Sequence, residues 1–300
     1  MQFDRLQTEQ VHPDSLALDT LTPLQAAALM NQIDRAVAEA VEQALPAIAQ
    51  AVEGVSARLK VGGRLIYMGA GTSGRLGVLD ASECPPTFGV DGNLVVGLIA
   101  GGDRALRHAA ENAEDKPELG EKDLRDIGLT AKDCVVGISA SGYAPYCVGA
   151  LDYARSQGAL TIAMSCNTGA TLSQHADIAI EMPTGPEILS GSTRLKAGTA
   201  TKMALNMIST LTMVQLGKVY GNLMVDMKPS NNKLKDRAIR IVQNALHIER
   251  PEAEALYEAA GQNVKTAIVM HETGAPADAA REALDAHQGF VRRAVQVLRK

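Results

Sequence analysis

The sequence predicts an α/β protein built on an open, parallel five-stranded sheet flanked by helices, with a small C-terminal three-helix module. Two observations lead to this prediction. After Gly62-Gly63, short apolar runs alternate with helical stretches. Beyond Pro251, only short helical patterns separated by glycine-containing breaks follow. We therefore predict two parts, residues 1–250 and residues 251–300.

The N-terminal part begins with a helical pattern, because apolar residues recur near helical spacing from about Pro23 to Glu53. Five later runs are short enough for strands and apolar enough to be covered on both faces: Arg64–Met68, Leu94–Ala100, Cys134–Ser139, Ala159–Ser165 and Ala176–Met182. The helical patterns between them are Arg104–Ala113, Tyr146–Gln157 and Thr171–His175. Such alternation predicts right-handed βαβ units in an open sheet.

Helical patterns dominate the rest of the chain. A long helix is predicted from Ser192 to about Leu216, and a second covers Asn232–Leu246. Beyond the break at Pro251 we predict three short helices, separated by Gly261 and by Gly274-Ala275-Pro276, the last closing at Gly289.

Composition narrows the classes of function. The 300 residues carry a net charge of -5 with no basic block, only 3% aromatics and no tryptophan, which argues against nucleic acid as a partner. No apolar run approaches the roughly 20 residues that span a bilayer. The start, residues 1–5, lacks an apolar signal core, and the four cysteines form no CxxC pair. We therefore expect a cytoplasmic protein with buried, reduced thiols.

The glycine- and hydroxyl-rich segment Gly69–Arg75 is the first candidate for ligand binding. It follows the first predicted strand, and ligands bind at the carboxyl ends of parallel strands. Gly71, Thr72 and Ser73 offer amide and hydroxyl donors to a phosphate. The spacing also satisfies GxGxxG, but dinucleotide binding expects an acidic residue about 20 positions further on, and Asp103 comes late. A tight glycine turn without a ligand is the plain alternative.

A second hydroxyl-rich loop follows the third predicted strand. It contains Ser139, Ser141 and Gly142. Two such loops at the ends of two strands favour the phosphate of a small sugar over a pyrophosphate. The same residues are also common in ordinary turns.

A third segment, Gly185–Lys202, places many polar side chains in a loop that enters a helix. We expect Glu187, Ser190 and Lys196 to contribute to a second wall of the sugar site, since helix-start amides and a lysine both favour an anion. A capped and solvated helix start, with Ser192 or Thr193 as the N-cap, is the alternative.

These segments together resemble a known family. Gly69–Phe88, the Glu114-Asp115 pair, Gly185–Lys202 and Gly221–Asp226 closely resemble N-acetylmuramic acid 6-phosphate etherases, and the similarity runs through nearly the whole chain. The resemblance implies a sugar isomerase domain with a flavodoxin-like sheet and a C-terminal module similar to ubiquitin-associated folds. One departure is Tyr143-Ala144, where the family usually has Arg-Thr.

The resemblance also implies a reaction. It is that of a carbon-oxygen lyase that cleaves the D-lactyl ether of N-acetylmuramic acid 6-phosphate, giving N-acetylglucosamine 6-phosphate and D-lactate during peptidoglycan recycling. Glu83 would be the acid toward the leaving group and Glu114 the base at carbon 2, although composition alone singles out neither among 34 acidic residues. No cofactor is implied, and the six histidines show no metal-ligand spacing.

Two other functions remain open at this point. One is a sugar-phosphate isomerase, and the other is a non-catalytic sugar-phosphate sensor similar to glucokinase regulatory proteins. Glu83 lies ten residues beyond Ser73, or roughly 15 Å along a continuous helix. Either that helix is short and bent before Pro85, or the site is shared between subunits. We expect a homodimer with the site at its interface.

Overall fold

The computed structural model describes residues 6–108, 110, 112–227, 229 and 231–299. Its chain forms two compact units. The first contains the residues up to Ser82 together with Gly92–Ser209, and the second contains Glu83–Asp91 and the chain from Thr210 onward. The boundary between the units after Ser209 therefore lies well before the predicted domain boundary at residue 250. The similarity of residues 251–300 to a ubiquitin-associated module stays a prediction.

The first unit is built on a parallel five-stranded sheet, which confirms the predicted architecture. Each strand lies on one of the five predicted runs: β1 Leu65–Gly69, β2 Val95–Ile99, β3 Cys134–Ile138, β4 Leu160–Ser165 and β5 Ile178–Glu181. Every residue of β1 and β3 is buried, as expected for central strands covered on both faces.

The strand order is β2-β1-β3-β4-β5, which is the flavodoxin-like order. The chain moves outward from β1 to β2 and then returns to β3 on the other side of β1, where Gly69 pairs with Ile138. Such a reversal opens a crevice at the carboxyl ends of the two strands, where ligands bind. The two predicted phosphate loops follow these same two strands.

Within its described residues, the first unit contains all or part of seven α-helices: α1 Pro23–Asp34, α2 Ala36–Gln43, α3 Leu45–Lys60, α4 Gly71–Phe88, α5 Pro117–Asp126, α6 Pro145–Ser156 and α7 Lys196–Gln215. The prediction of one helix over residues 23–53 is wrong, since three helices stand there. Pro46 in the first turn of α3 explains one break, because proline cannot donate the amide hydrogen bond that continues a helix.

The helix predicted over residues 104–113 is also wrong in its described part. A 3-10 turn, Asp103–Leu106, stands there, and α5 begins only at Pro117. Residues 109 and 111 lie outside the described chain. The helix predicted over residues 146–157 is confirmed by α6, and the one predicted over Thr171–His175 is a 3-10 helix.

The second unit has its own helical core. Its helices are α8 Asn232–Leu246, α9 Arg250–Ala259, α10 Val264–Thr273, α11 Ala277–Ala286 and α12 Val291–Leu298. The three short helices predicted after residue 250 are present, and α12 is an additional one that buries Val291 and Ala294. Pro251 lies in the first turn of α9, a position that tolerates proline.

Two properties of the described residues bear on the compositional expectations. None of their helices combines the length and apolarity needed to cross a membrane. All four cysteines are buried thiols outside any disulfide, as predicted.

Two glycines allow α5 and α6 to pack with their backbones in close contact. A Cβ atom at Gly120 would lie 2.0 Å from the Tyr146 carbonyl oxygen, and one at Gly149 would lie 2.2 Å from the Pro117 carbonyl oxygen. The Tyr146 amide also donates a 2.9 Å hydrogen bond to the carbonyl oxygen of Glu114. This helix pair therefore holds the turn that carries Glu114.

We expect Gly149→Ala to lower the free energy of unfolding by roughly 1–3 kcal/mol, because the added methyl group meets backbone that cannot give way unless the helices separate. The loss would oppose the usual gain of about 0.5–1 kcal/mol for alanine over glycine inside a helix. Urea unfolding measures it. Gly92→Ala is the control, since no atom lies within 4 Å of a Cβ there. Equal unfolding midpoints for the two variants and the native protein would contradict the packing argument.

Candidate active site

A cavity of about 340 Å³ lies in the first unit, where the loops after β1 and β3 meet. Its wall combines six of the predicted site residues with others that the sequence did not single out: Glu9, Ala70, Gly71, Thr72, Ser73, Glu114, Ile138, Ser139, Ala140, Ser141, Thr193, Gly198 and Thr201. The fold thus brings both predicted phosphate loops and one predicted catalytic glutamate to one place.

The start of α4 forms the first wall. A Cβ atom at Gly69 would lie 2.7 Å from the Gly74 amide nitrogen, and one at Gly74 would lie 2.5 Å from the Gly69 carbonyl oxygen. Only glycines allow the first turn of the helix to rest this closely on the end of β1. Gly71 adopts a φ of 51°, which also favours glycine. Amides in a first helical turn lack intrahelical partners and are therefore available to an anion.

The loop after β3 forms the second wall. The hydroxyl oxygens of Ser139 and Ser141 lie 3.2 Å apart, and the Tyr143 amide donates to the Ser141 hydroxyl at 3.1 Å. Gly142 is outside the cavity wall. Its φ of 72° makes the turn, and a Cβ atom there would lie 2.4 Å from the Ala170 Cβ. The two serine hydroxyls are thus held side by side at the cavity.

Glu114 lies in the turn before α5, directly after the stretch 104–113 for which a helix was predicted. The residue as a whole is exposed, but its carboxyl belongs to the cavity wall. Desolvation by the surrounding protein raises the pKa of this carboxyl, and the negative charge of Asp115 raises it further. A carboxylate with a raised pKa is suited to taking up a proton.

Glu83 has a different setting. It is exposed and lies within α4, which continues through Pro85 and Pro86 as far as Phe88. The helix is therefore not short, as the alternative of a short helix bent before Pro85 required. The ten residues from Ser73 to Glu83 correspond to roughly 15 Å along the axis of one helix. Glu83 is not among the residues that line the cavity.

Glu187 and Lys196 support the start of α7. The Glu187 carboxylate accepts hydrogen bonds from the amides of Lys196 at 2.9 Å and Ala197 at 3.0 Å. The Lys196 ammonium donates to the Thr184 carbonyl oxygen at 2.8 Å. Both side chains are buried, burial raises the pKa of Glu187 and lowers that of Lys196, and neither residue lines the cavity. A direct phosphate contact from either stays a prediction.

The same segment supplies cavity residues other than those we singled out. Ser190 is exposed and lies outside the wall, whereas Thr193, Gly198 and Thr201 line it. A Cβ atom at Gly198 would lie 3.6 Å from the Thr72 methyl carbon. The start of α7 therefore faces the phosphate loop at close range.

Glu9 is a charged cavity residue that the sequence analysis did not single out. It reaches the wall because the side chain of Asn167, just beyond β4, holds the backbone of Gln7 and Thr8. This contact joins residues about 160 positions apart, and no local pattern predicts it.

The electrostatic character of the cavity is unusual for a phosphate site. Among the residues that the structure describes, the charged members of the wall are the two carboxylates, Glu9 and Glu114, and none of the described lysines, arginines or histidines lines it. Among the described residues there is also no group of three or more His, Cys, Asp or Glu side chains arranged to hold a metal ion. An anion bound here must rely on amides and hydroxyls.

Comparisons with known proteins agree with this fold. Residues 47–155 match the N-terminal SIS (sugar isomerase) domain of glucokinase regulatory protein, and residues 110–211 match the SIS domain. A Bacteroides fragilis structure described as a phosphosugar isomerase involved in capsule formation aligns with a TM-score of 0.50 and 19% identity, covering 65% of this chain and 91% of its own. The predicted sugar isomerase fold is confirmed.

Two curated relatives extend over almost the entire chain. The N-acetylmuramic acid 6-phosphate etherase of Cronobacter sakazakii is 56% identical over 99% of this chain and 100% of its own length. The N-acetylmuramic acid 6-phosphate etherase of Brucella anthropi is 54% identical over 98% of this chain and 96% of its own length.

Proposed function

The chain belongs to the N-acetylmuramic acid 6-phosphate etherase family, and we propose that Glu114 and Glu83 perform its acid-base chemistry. It is a carbon-oxygen lyase that cleaves the D-lactyl ether of N-acetylmuramic acid 6-phosphate in amino-sugar catabolism. The observation that carries the proposal is the position of Glu114, which shares one cavity wall with both phosphate loops.

The phosphate of the substrate binds where the two loops meet. Donors come from the first-turn amides of α4 at Gly71, from the hydroxyls of Thr72 and Ser73, and from those of Ser139 and Ser141. The positive end of the helix dipole compensates part of the phosphate charge. With carbon 6 fixed in this way, carbons 2 and 3 of the sugar extend toward the rest of the cavity, where Glu114 lies.

The reaction follows from the acidity of the opened sugar. Ring opening produces an aldehyde at carbon 1, which acidifies the proton on carbon 2. The Glu114 carboxylate takes that proton, a carbon-carbon double bond forms between carbons 2 and 3, and the carbon 3-oxygen bond breaks. Glu83 donates a proton to the departing D-lactate oxygen. Water then adds its hydroxyl group to carbon 3 and a proton to carbon 2, which gives N-acetylglucosamine 6-phosphate.

We further propose a cytoplasmic homodimer in which Glu83 serves the cavity of the partner subunit. Two features support this. Glu83 lies roughly 15 Å along α4 from Ser73, and a sugar phosphate is too short to span that distance comfortably. A leaving-group acid must also hold its proton near neutral pH, which enzymes achieve by burial, and Glu83 is exposed in a single chain. A partner surface would provide the missing burial.

We expect Glu114→Gln and Glu83→Gln each to lower D-lactate release from N-acetylmuramic acid 6-phosphate by about 10²- to 10⁴-fold, the usual contribution of a general acid or base. An enzymatic lactate assay measures the rate. Glu118→Gln is the matched control, because Glu118 is exposed in the first turn of α5 and outside the cavity wall. Isomerisation would release no lactate, so a native enzyme that converts the substrate without lactate would refute the etherase chemistry.

The pH profile tests the electrostatics of Glu114. Desolvation and the charge of Asp115 raise the pKa of Glu114, and a base must be ionised to act, so this pKa sets the acid limb of kcat/KM. Asp115→Asn removes a negative charge and should move the acid limb to lower pH, more at low ionic strength because Asp115 is exposed. Asp126→Asn, on the exposed side of α5, should leave it in place. An acid limb that stays fixed or rises in Asp115→Asn would refute the assignment.

A site that combines the cavity of one subunit with Glu83 of the other should allow two inactive variants to complement each other. We expect mixtures of Glu83→Gln and Ser73→Ala subunits, refolded together, to recover up to about half of the native activity per complementary heterodimer, since one of its two sites is intact. Mixtures of each variant with itself are the controls. Activity in the heterodimers that does not exceed that of the parents would show that each subunit uses its own Glu83.

A further inference from the structure

Among the described residues of the cavity wall, Glu9 is the charged one to which the proposed reaction gives no role. Glu114 removes the carbon 2 proton and Glu83 protonates the leaving group. A second carboxylate in the wall, close to a bound dianion, is electrostatically unfavourable unless it makes a contact that compensates for the repulsion.

The protein holds Glu9 in place with buried contacts. The Asn167 carboxamide oxygen accepts from the Gln7 amide at 2.7 Å, and the Asn167 side-chain nitrogen donates to the Thr8 hydroxyl at 3.0 Å. The same nitrogen donates to the carbonyl oxygens of Ala140 at 3.1 Å and Ser141 at 3.3 Å. Thr8 and Asn167 are 0% and 2% exposed. One asparagine therefore fixes the Glu9 segment relative to the second phosphate loop.

The loop that contains Gly191 lies close to the Glu9 carboxylate. A Cβ atom at Gly191 would lie 3.3 Å from the Glu9 Oε2 atom, closer than most such contacts. Gly191 also has a φ of 74°, which favours glycine. The carboxylate thus lies against backbone between the N-terminal segment and the loop that carries Thr193.

The charge of the wall decides what Glu9 can contact. Among the described residues, Glu114 is the other charged group of the wall, so the phosphate or the lactyl carboxylate of the substrate would be repelled by Glu9 if it lay against that side chain. The group next to Glu9 must be a neutral hydrogen-bond donor. The part of the sugar between the phosphate and carbons 2 and 3 offers hydroxyl donors at carbons 4 and 5.

Resting on the function proposed above, we propose that the Glu9 carboxylate binds the substrate by accepting a hydrogen bond from the carbon 4 hydroxyl. That hydroxyl is a donor in both the ring and the open-chain form, whereas the carbon 5 oxygen becomes a hydroxyl only after ring opening. Glu9 is therefore a specificity residue for the sugar, and it positions carbons 2 and 3 relative to Glu114.

A substrate analogue separates this contact from a structural role. For the native enzyme, replacing N-acetylmuramic acid 6-phosphate by its 4-deoxy analogue should lower kcat/KM about 10- to 100-fold, as expected for a hydrogen bond to a charged group. In Glu9→Ala, the two substrates should differ by less than about threefold, with the loss mainly in KM. Glu9→Gln, which keeps an accepting oxygen and the shape of the side chain, should give an intermediate ratio. Glu118→Gln should keep the native ratio.

Two outcomes would overturn the proposal. If Glu9→Ala and Glu9→Gln keep the native ratio between the substrates while losing activity on both, Glu9 has only a structural role. If Glu9→Gln abolishes turnover of both substrates to the extent that Glu114→Gln does, Glu9 is an acid-base group. Calorimetric binding of N-acetylglucosamine 6-phosphate and its 4-deoxy analogue gives the same comparison without turnover. A native enzyme that releases no lactate therefore refutes the reaction and leaves the Glu9 contact to be decided by binding.

Discussion

The contact between Gly69 and Gly74 is the constraint on which the site depends. It brings the first turn of α4 onto the end of β1 at a separation that no side chain permits. The helix start is thereby aimed at the point between β1 and β3 where the strand order reverses, and where the Ser139-Ser141 loop also emerges. A larger residue at either position would displace the helix and, with it, the amides and hydroxyls that face the cavity.

The elements that depend on local periodicity could be predicted from the sequence, whereas the positions of residues that depend on contacts between distant parts of the chain could not. The strands were predictable because buried parallel strands are short, apolar runs, and both phosphate loops were predictable because they follow two of those strands. The setting of Glu114 was not, since a glycine-mediated approach of α5 and α6 fixes it. Glu9 was missed because Asn167, far along the chain, brings it to the cavity.

In the proposed function, the cavity holds the phosphate without the cations of its own segments, Arg75 and Lys196, which are engaged elsewhere. Arg75, at the end of the first predicted phosphate loop, donates hydrogen bonds to the carbonyl oxygens of Ala105 and Leu106 at 2.8 and 3.0 Å. The Lys196 ammonium donates to the carbonyl oxygen of Thr184. Amides and hydroxyls are left to hold the phosphate. The charged groups among the described wall residues are both carboxylates, so in the proposed binding mode repulsion as well as attraction would orient the substrate, with its anionic groups directed away from Glu9 and Glu114.

The raised pKa of Glu114 is consistent with the difficulty of the first chemical step. The carbon 2 proton is only weakly acidic even beside an aldehyde, and a stronger base removes it faster as long as the base stays ionised at the operating pH. Desolvation by the cavity wall and the adjacent charge of Asp115 both increase the basicity of Glu114. Binding of the substrate excludes more water and strengthens both effects. In the proposed mechanism, the walls that hold the phosphate therefore also make the carboxylate beside it a better base.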